Sequence, residues 1–246
     1  MSDPQPEITI TATAEQAGTA AGQRAAEVIT AAISATGRAR VIFASAPSQQ
    51  DMISTLARAE LDWSSVQALH LDEYLGLPAD HPQSFGQWLA DRLPADIGRF
   101  DRILPGADPE PERRRYAALL AEPVDLVCLG IGVNGHLAFN EPGARFDDPE
   151  LVRLITLDAR SRQQQVDDGC FDGLDQVPTE ALTVTIPPLI AATAIVCTVV
   201  GERKAAAVAA ALAGPVDTGC PASVLQRCPH AHVFLDRPAA SLLSSG

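Results

Sequence analysis

The chain of 246 residues carries 18 Lys and Arg against 31 Asp and Glu, a formal charge of −13, which disfavours non-specific attraction to nucleic acid or to an anionic membrane surface. With 46% hydrophobic residues it can bury a sizeable core, and one α/β domain spanning residues 1–246 is expected. No uninterrupted apolar run reaches the roughly 18 residues of a membrane-spanning helix, and residues 1–7 lack the basic and apolar regions of a secretory leader, so a cytoplasmic protein without membrane partners is expected.

In chain order, residues 14–34 read as a helix and 40–44 as a strand; 50–60 as a helix and 66–71 as a strand. A helix at 110–121, strands at 124–129 and 194–200, a helix at 202–213 and a last strand at 232–235 complete the series. The Ala-rich 203–213 stretch starts after Glu202-Arg203-Lys204 and stops at Gly214-Pro215, as an ordinary helix does. Strand runs nearly continuous in apolar side chains suit a sheet covered on both faces. Their alternation with helices predicts a Rossmann-like three-layer α/β/α fold with a mostly parallel central sheet and a small lid segment.

Residues 141–187 break this rhythm with Pro142, Gly143, Pro149, Gly169, Gly173 and Pro178, and contain Arg160-Ser161-Arg162-Gln163-Gln164-Gln165. Near the strand ends, where ligands bind in open α/β sheets, such an insertion predicts a partly helical cover over the site, a plain surface excursion being the alternative. The five cysteines form no CxxC pair, and Cys128 and Cys197 fall inside apolar strand-like runs, so buried thiols are expected.

Two strand exits supply polar groups: His70-Leu71-Asp72-Glu73-Tyr74, and the loop 130–141 with Asn134, His136, Asn140 and Glu141. In a parallel sheet both open on the same edge and can meet around one small molecule. Asp72 is the candidate base, because a carboxylate within hydrogen-bond reach can relay a proton between adjacent carbons; a turn-capping role is the plainer alternative. Glu73 either holds that geometry or faces solvent. His136 titrates near neutrality when unperturbed and can deliver a proton to a ring oxygen, with Glu141 orienting the imidazole. Gly130, Gly132 and Gly135 permit a tight backbone, although the loop is no dinucleotide fingerprint. His70, Asp72 and His136 do not have the spacing of a zinc site, so no metal is expected. No Gly-x-Ser-x-Gly nucleophile elbow occurs.

The motifs 71–77 (LDEYLGL), 81–85 (HPQSF), 129–143 (LGIGVNGHLAFNEPG) and Gln176-Val177-Pro178 followed by Ala181-Leu182-Thr183 together resemble the glucosamine-6-phosphate deaminase/isomerase family over nearly the whole chain. The Asn-Glu-Pro ending of the third separates it from the related 6-phosphogluconolactonases. The resemblance implies that Asp72 is the proton-transfer base, His136 the ring-opening histidine and Glu141 its supporting carboxylate. It puts Asn134 where some members carry an aspartate of the same relay, and Lys204 on a phosphate-binding lysine. It also exposes departures: Ser45-Ala46-Pro47-Ser48-Gln49-Gln50 replaces a Gly-rich phosphate turn, and Gln165 falls where the family has an arginine. Ser45, Ser48 and Gln49 can still donate hydrogen bonds, and Arg160 or Arg162 is expected to replace the missing charge.

The expected reaction is therefore conversion of an amino-sugar phosphate, glucosamine 6-phosphate, to fructose 6-phosphate and ammonia, with no metal or organic cofactor. The rivals are an isomerase/deaminase of another amino sugar, with or without a 6-phosphate, a 6-phosphogluconolactonase-like hydrolase, and a non-catalytic sugar-phosphate sensor. The extended C-terminal portion of allosteric hexameric relatives looks reduced, which favours a monomer or a small homo-oligomer.

Overall fold

The computed structural model describes residues 5–243; most of the N-terminal stretch read as lacking a leader, residues 1–4, lies outside the described residues. Seven strands, β1 (Glu7–Thr11), β2 (Ala39–Phe43), β3 (Val66–His70), β5 (Arg99–Phe100), β6 (Leu126–Leu129), β9 (Ala194–Val199) and β10 (Ala231–Asp236), form the main sheet. Their order is β1-β10-β9-β6-β2-β3-β5, and every pairing is parallel. Helices α1 (Ala14–Thr36), α2 (Gln50–Ala57), α3 (Phe85–Ala90), α4 (Glu110–Leu120), α5 (Ala159–Asp167), α6 (Ile186–Ile190) and α7 (Ala205–Ala213) flank the strands or cross over their ends. The architecture is the expected Rossmann-like α/β/α fold. Among the described residues no helix is long and apolar enough to cross a membrane.

Both faces of the sheet are buried, which is why its central strands are mostly apolar: every residue of β2 and β6 is buried, and Arg40 is the one charged residue among them. One apolar cluster contains Ile42, Leu69, Val127 and Leu129; the other, with Val41, Phe43, Leu126 and Cys128, packs against α1 and α2. Thr13 caps α1 by accepting from Gln16 N, and Gly37 ends it at φ +78° with its N–H on Ile33 O. Gly18 and Gly22 let α2 approach closely, since a Cβ at Gly22 would lie 2.6 Å from Met52 O. The buried Arg40 guanidinium donates to the carbonyls of Leu119, Glu122 and Pro123, satisfying the C-terminal end of α4.

The lid differs from the expected partly helical cover by its strands. Besides α5, it contributes β7 (Val152–Thr156) and β8 (Glu180–Val184), which pair antiparallel with each other and with β4 (Asp72–Tyr74). The chain passes from the main sheet to this smaller one at Leu71, whose N–H donates to Phe43 O while its C=O accepts from Val184 N. Asp72 is thereby held at the junction of the two sheets. Cys128, Cys197 and Cys228 are buried as expected, whereas Cys170 and Cys220 are only half-buried.

Candidate active site

The C-terminal ends of β2, β3, β6 and β9 open on one edge of the main sheet, and the segments that leave them line a single cleft roofed by α5. The cleft is open to solvent, and its space is about 540 Å³ with the open mouth included. Asp72 from the β3 exit and His136 from the β6 exit both line it, and each is 8% exposed.

The Asp72 carboxylate accepts no hydrogen bond from any described residue, and burial together with the neighbouring Glu73 charge raises its pKa well above the usual carboxylate range. Glu73 faces the other way and does not face solvent. It accepts from Ser84 Oγ at 2.7 Å, Gly86 N at 2.9 Å, Tyr74 N at 3.0 Å and Phe85 N at 3.1 Å, clamping the start of α3. His70 is fully buried, its Nε2 accepting from Ile103 N at 2.7 Å. It is absent from the cleft wall. Among the described residues no group of three or more His, Cys, Asp or Glu side chains is placed to hold a metal ion.

The loop after β6 is shaped by its glycines. Gly135 turns at φ +86° and sends its N–H to Gly132 O, while Gly132 N–H donates to His136 O. Ala138, at φ +51°, is the one non-glycine residue with positive φ among those described, a strained backbone in the cleft wall. Asn134 Nδ2 donates to Glu141 Oε2 at 2.7 Å, and that oxygen lies 3.6 Å from His136 Nδ1. Burial alone would raise the Glu141 pKa, but His136, Ser161 and Asn134 outweigh it and hold the carboxyl below its ordinary value. Asn140 plays a different part: its amide donates to Leu137 O and Val184 O and ties the loop to β8.

The anion end of the cleft is built from the β2 and β9 exits. Pro47 starts a short 3₁₀ turn over Pro47–Gln49, its missing N–H falling where a helix start leaves donors unpaired. Ser45, Ser48 and Gln49 all line the cleft. Ser45 Oγ donates to Phe85 O, and the buried Gln49 amide donates to Thr198 O at 3.2 Å. After β9, Gly201 is held by Asp236 through bonds of 3.0 and 3.1 Å, and the turn Glu202–Lys204 brings Lys204 to the cleft. Burial pushes the Lys204 ammonium down to about 8.

Arg160 and Arg162 depart from expectation. Arg160 is exposed, Arg162 donates to the carbonyls of Val177 and Leu174, and neither lines the cleft. On α5 the helical period turns Ser161, Gln164 and Gln165 inward, so the flanking arginines point elsewhere. Gln164 and Gln165 are in the cleft wall, and Ser161 Oγ lies 3.1 Å from His136 Nδ1. Sequence reasoning missed Ser161 and Gln164; their spacing after the cap Asp158 was the available signal.

A family model described as glucosamine-6-phosphate isomerases/6-phosphogluconolactonase matches residues 12–234. The chain is 36% identical over 228 residues to a glucosamine-6-phosphate deaminase of Listeria innocua, covering 91% of this chain and 96% of that one. It is 41% identical over 188 residues to a glucosamine-6-phosphate deaminase of Exiguobacterium sibiricum, covering 75% and 73%. Among solved structures, a monomeric glucosamine-6-phosphate deaminase superposes with a TM-score of 0.88 at 30% identity over 96% of this chain and 99% of that one. The 6-phosphogluconolactonase of Trypanosoma brucei shares the fold, with a TM-score of 0.79 at 18% identity over 98% and 99%. With nearly its full length matched by sequence and by fold, the chain belongs to the glucosamine-6-phosphate isomerase/6-phosphogluconolactonase family.

Proposed function

We propose that the chain converts glucosamine 6-phosphate and water to fructose 6-phosphate and ammonia. The observation that carries the reading is the shared cleft: a buried, unpaired carboxylate and an imidazole reach it from two different strand exits. Identity of 36–41% to named deaminases supports this chemistry over lactone hydrolysis.

His136 protonates the ring oxygen and opens the pyranose, with Glu141 stabilising the imidazolium. Asp72 then takes the proton from C2, the electrons form the C1=C2 bond of the enolamine while the C1 oxygen takes back the proton it lost on ring opening, and the same carboxyl returns a proton to C1. Water adds to the resulting C2 imine and ammonia leaves. Lys204, with Ser45, Ser48 and Gln49, holds the remote phosphate and so positions the reacting carbons.

A second reading, an unphosphorylated amino sugar as substrate, is favoured by one observation: among the described residues lining the cleft, Lys204 is the one Lys or Arg. A coupled assay of ammonia and ketose phosphate, run with glucosamine 6-phosphate and with glucosamine, separates the two. The main reading expects turnover of the phosphorylated sugar in large excess, and equal turnover supports the second.

A further inference from the structure

His136 Nδ1 has one side chain at hydrogen-bond distance among the described residues, and it is the Ser161 hydroxyl at 3.1 Å. Glu141 Oε2, at 3.6 Å, is beyond hydrogen-bond length and acts on the ring as a charge. We propose that Ser161 is a positioning residue whose hydroxyl bridges His136 Nδ1 to Glu141, and so fixes which imidazole nitrogen exchanges protons in the cleft.

A serine hydroxyl can accept from one neighbour while donating to another, whereas an ionised carboxylate can only accept. With the Glu141 carboxylate 3.6 Å from Nδ1, a proton on that nitrogen is favoured, so the Ser161 Oγ at 3.1 Å accepts from Nδ1–H and its own O–H is left to donate toward the carboxylate. Proton exchange then falls to Nε2, on the ring edge that lies against Gly132 in the cleft wall. Asn134 occupies Glu141 Oε2 from the other side and keeps the carboxylate from turning away. The other ionisable side chains of the cleft, Asp72 and Lys204, make no hydrogen bond to the ring among the described residues.

Ser161 is 1% exposed and belongs to the lid. One helical turn on, Gln164 Oε1 accepts from Val133 N at 3.1 Å, so α5 is fastened to the histidine loop at two points. The imidazole tautomer is consequently tied to the docked position of the lid helix.

The proposal rests on reading His136 as the proton-exchanging group, but its test does not need turnover. Imidazole ¹⁵N NMR of the ligand-free full chain reads the His136 tautomer directly. The Nδ1–H form should dominate in the wild type, give way to a mixture in Ser161→Ala, and return in Ser161→Thr, which keeps the hydroxyl. In the ammonia assay Ser161→Ala should lower kcat about tenfold, the loss expected for one hydrogen bond to a charged group, with KM within about twofold of wild type. An imidazole spectrum unchanged by Ser161→Ala overturns the proposal whatever the activity. Equal kcat losses in the Ala and Thr variants with the Nδ1–H form intact also overturn it, assigning Ser161 to packing. A wild type that releases no ammonia, yet shows the tautomer change in Ser161→Ala, sinks the proposed reaction and leaves the bridge standing.

Discussion

Gly132 lies against the imidazole of His136 so closely that a side-chain carbon at position 132 would sit 2.2 Å from both Nε2 and Cε1. The glycine therefore makes room for the ring to lie along the cleft wall. Gly132→Ala should displace the imidazole by the better part of an ångström and lower kcat by about 10²-fold. Thermal unfolding should change little, because the ring can swing toward the open cleft. Wild-type kcat in this variant would show that the ring position is unimportant.

The Asp72 carboxyl is buried and accepts no hydrogen bond from any described residue, and its pKa is raised by burial first and by Glu73 second. As a base it must be ionised. The acid limb of kcat/KM should therefore lie above the ordinary carboxylate range, activity rising as pH rises through the raised pKa. Stability has the opposite sign: a raised folded-state pKa gives a contribution fully present below the unfolded value of 3.8 and lost as pH climbs through the folded value. Asp72→Asn should accordingly raise the melting temperature at pH 7.5 while abolishing turnover, and the gain should shrink at pH 4. A variant less stable than wild type at pH 7.5 would contradict this assignment.

Lys204 is charged below about 8 and loses its proton above it. With glucosamine 6-phosphate, kcat/KM should fall as pH rises through that value, since the free enzyme's ionisation governs this parameter. Lys204→Ala should remove that limb and raise KM by about 10- to 100-fold, and should affect the unphosphorylated sugar far less. Equal losses for both sugars would remove the phosphate contact.

Asn134 supplies Glu141 with a hydrogen bond of 2.7 Å. Asn134→Ala takes away one of the groups that hold the Glu141 pKa down, leaving burial less opposed. We expect kcat to drop about tenfold and the acid limb to move to higher pH. An unchanged profile would show that Glu141 is held by His136 and Ser161 alone.

The core strands were legible because burial on both faces demands unbroken apolar runs, as in Leu126–Leu129. Edge and lid strands were not, since β1 and β7 are mostly exposed or half-buried and contain charged residues, Glu7 in β1 and Arg153 in β7, so neither shows an apolar run. Asp72, His136 and Glu141 stood out as ionisable groups in loops unsuited to packing. Ser161 did not, because its place opposite Nδ1 depends on how α5 rolls onto the histidine loop, a tertiary contact 25 residues away in sequence. Arg160 and Arg162 were misread for the same reason: charge was visible, helix rotation was not.

Gly22 offers a test of the scaffold apart from the site. Alanine is the better helix former by roughly 1 kcal/mol, yet its Cβ would meet Met52 O at 2.6 Å and Thr55 Cβ at 2.7 Å. Overpacking of this kind costs about 1–3 kcal/mol, so Gly22→Ala should lower the melting temperature with kcat unchanged. A higher melting temperature would mean that α1 and α2 separate easily.

The central claim is that Asp72 moves the C2 proton of a sugar whose ring His136 opens in the same cleft. Glucosamine 6-phosphate deuterated at C2, followed by NMR, reads that step directly. The wild type should lose the C2 label as ammonia appears, while Asp72→Asn should bind the sugar and retain the label indefinitely. Loss of label by Asp72→Asn at the wild-type rate would contradict the account.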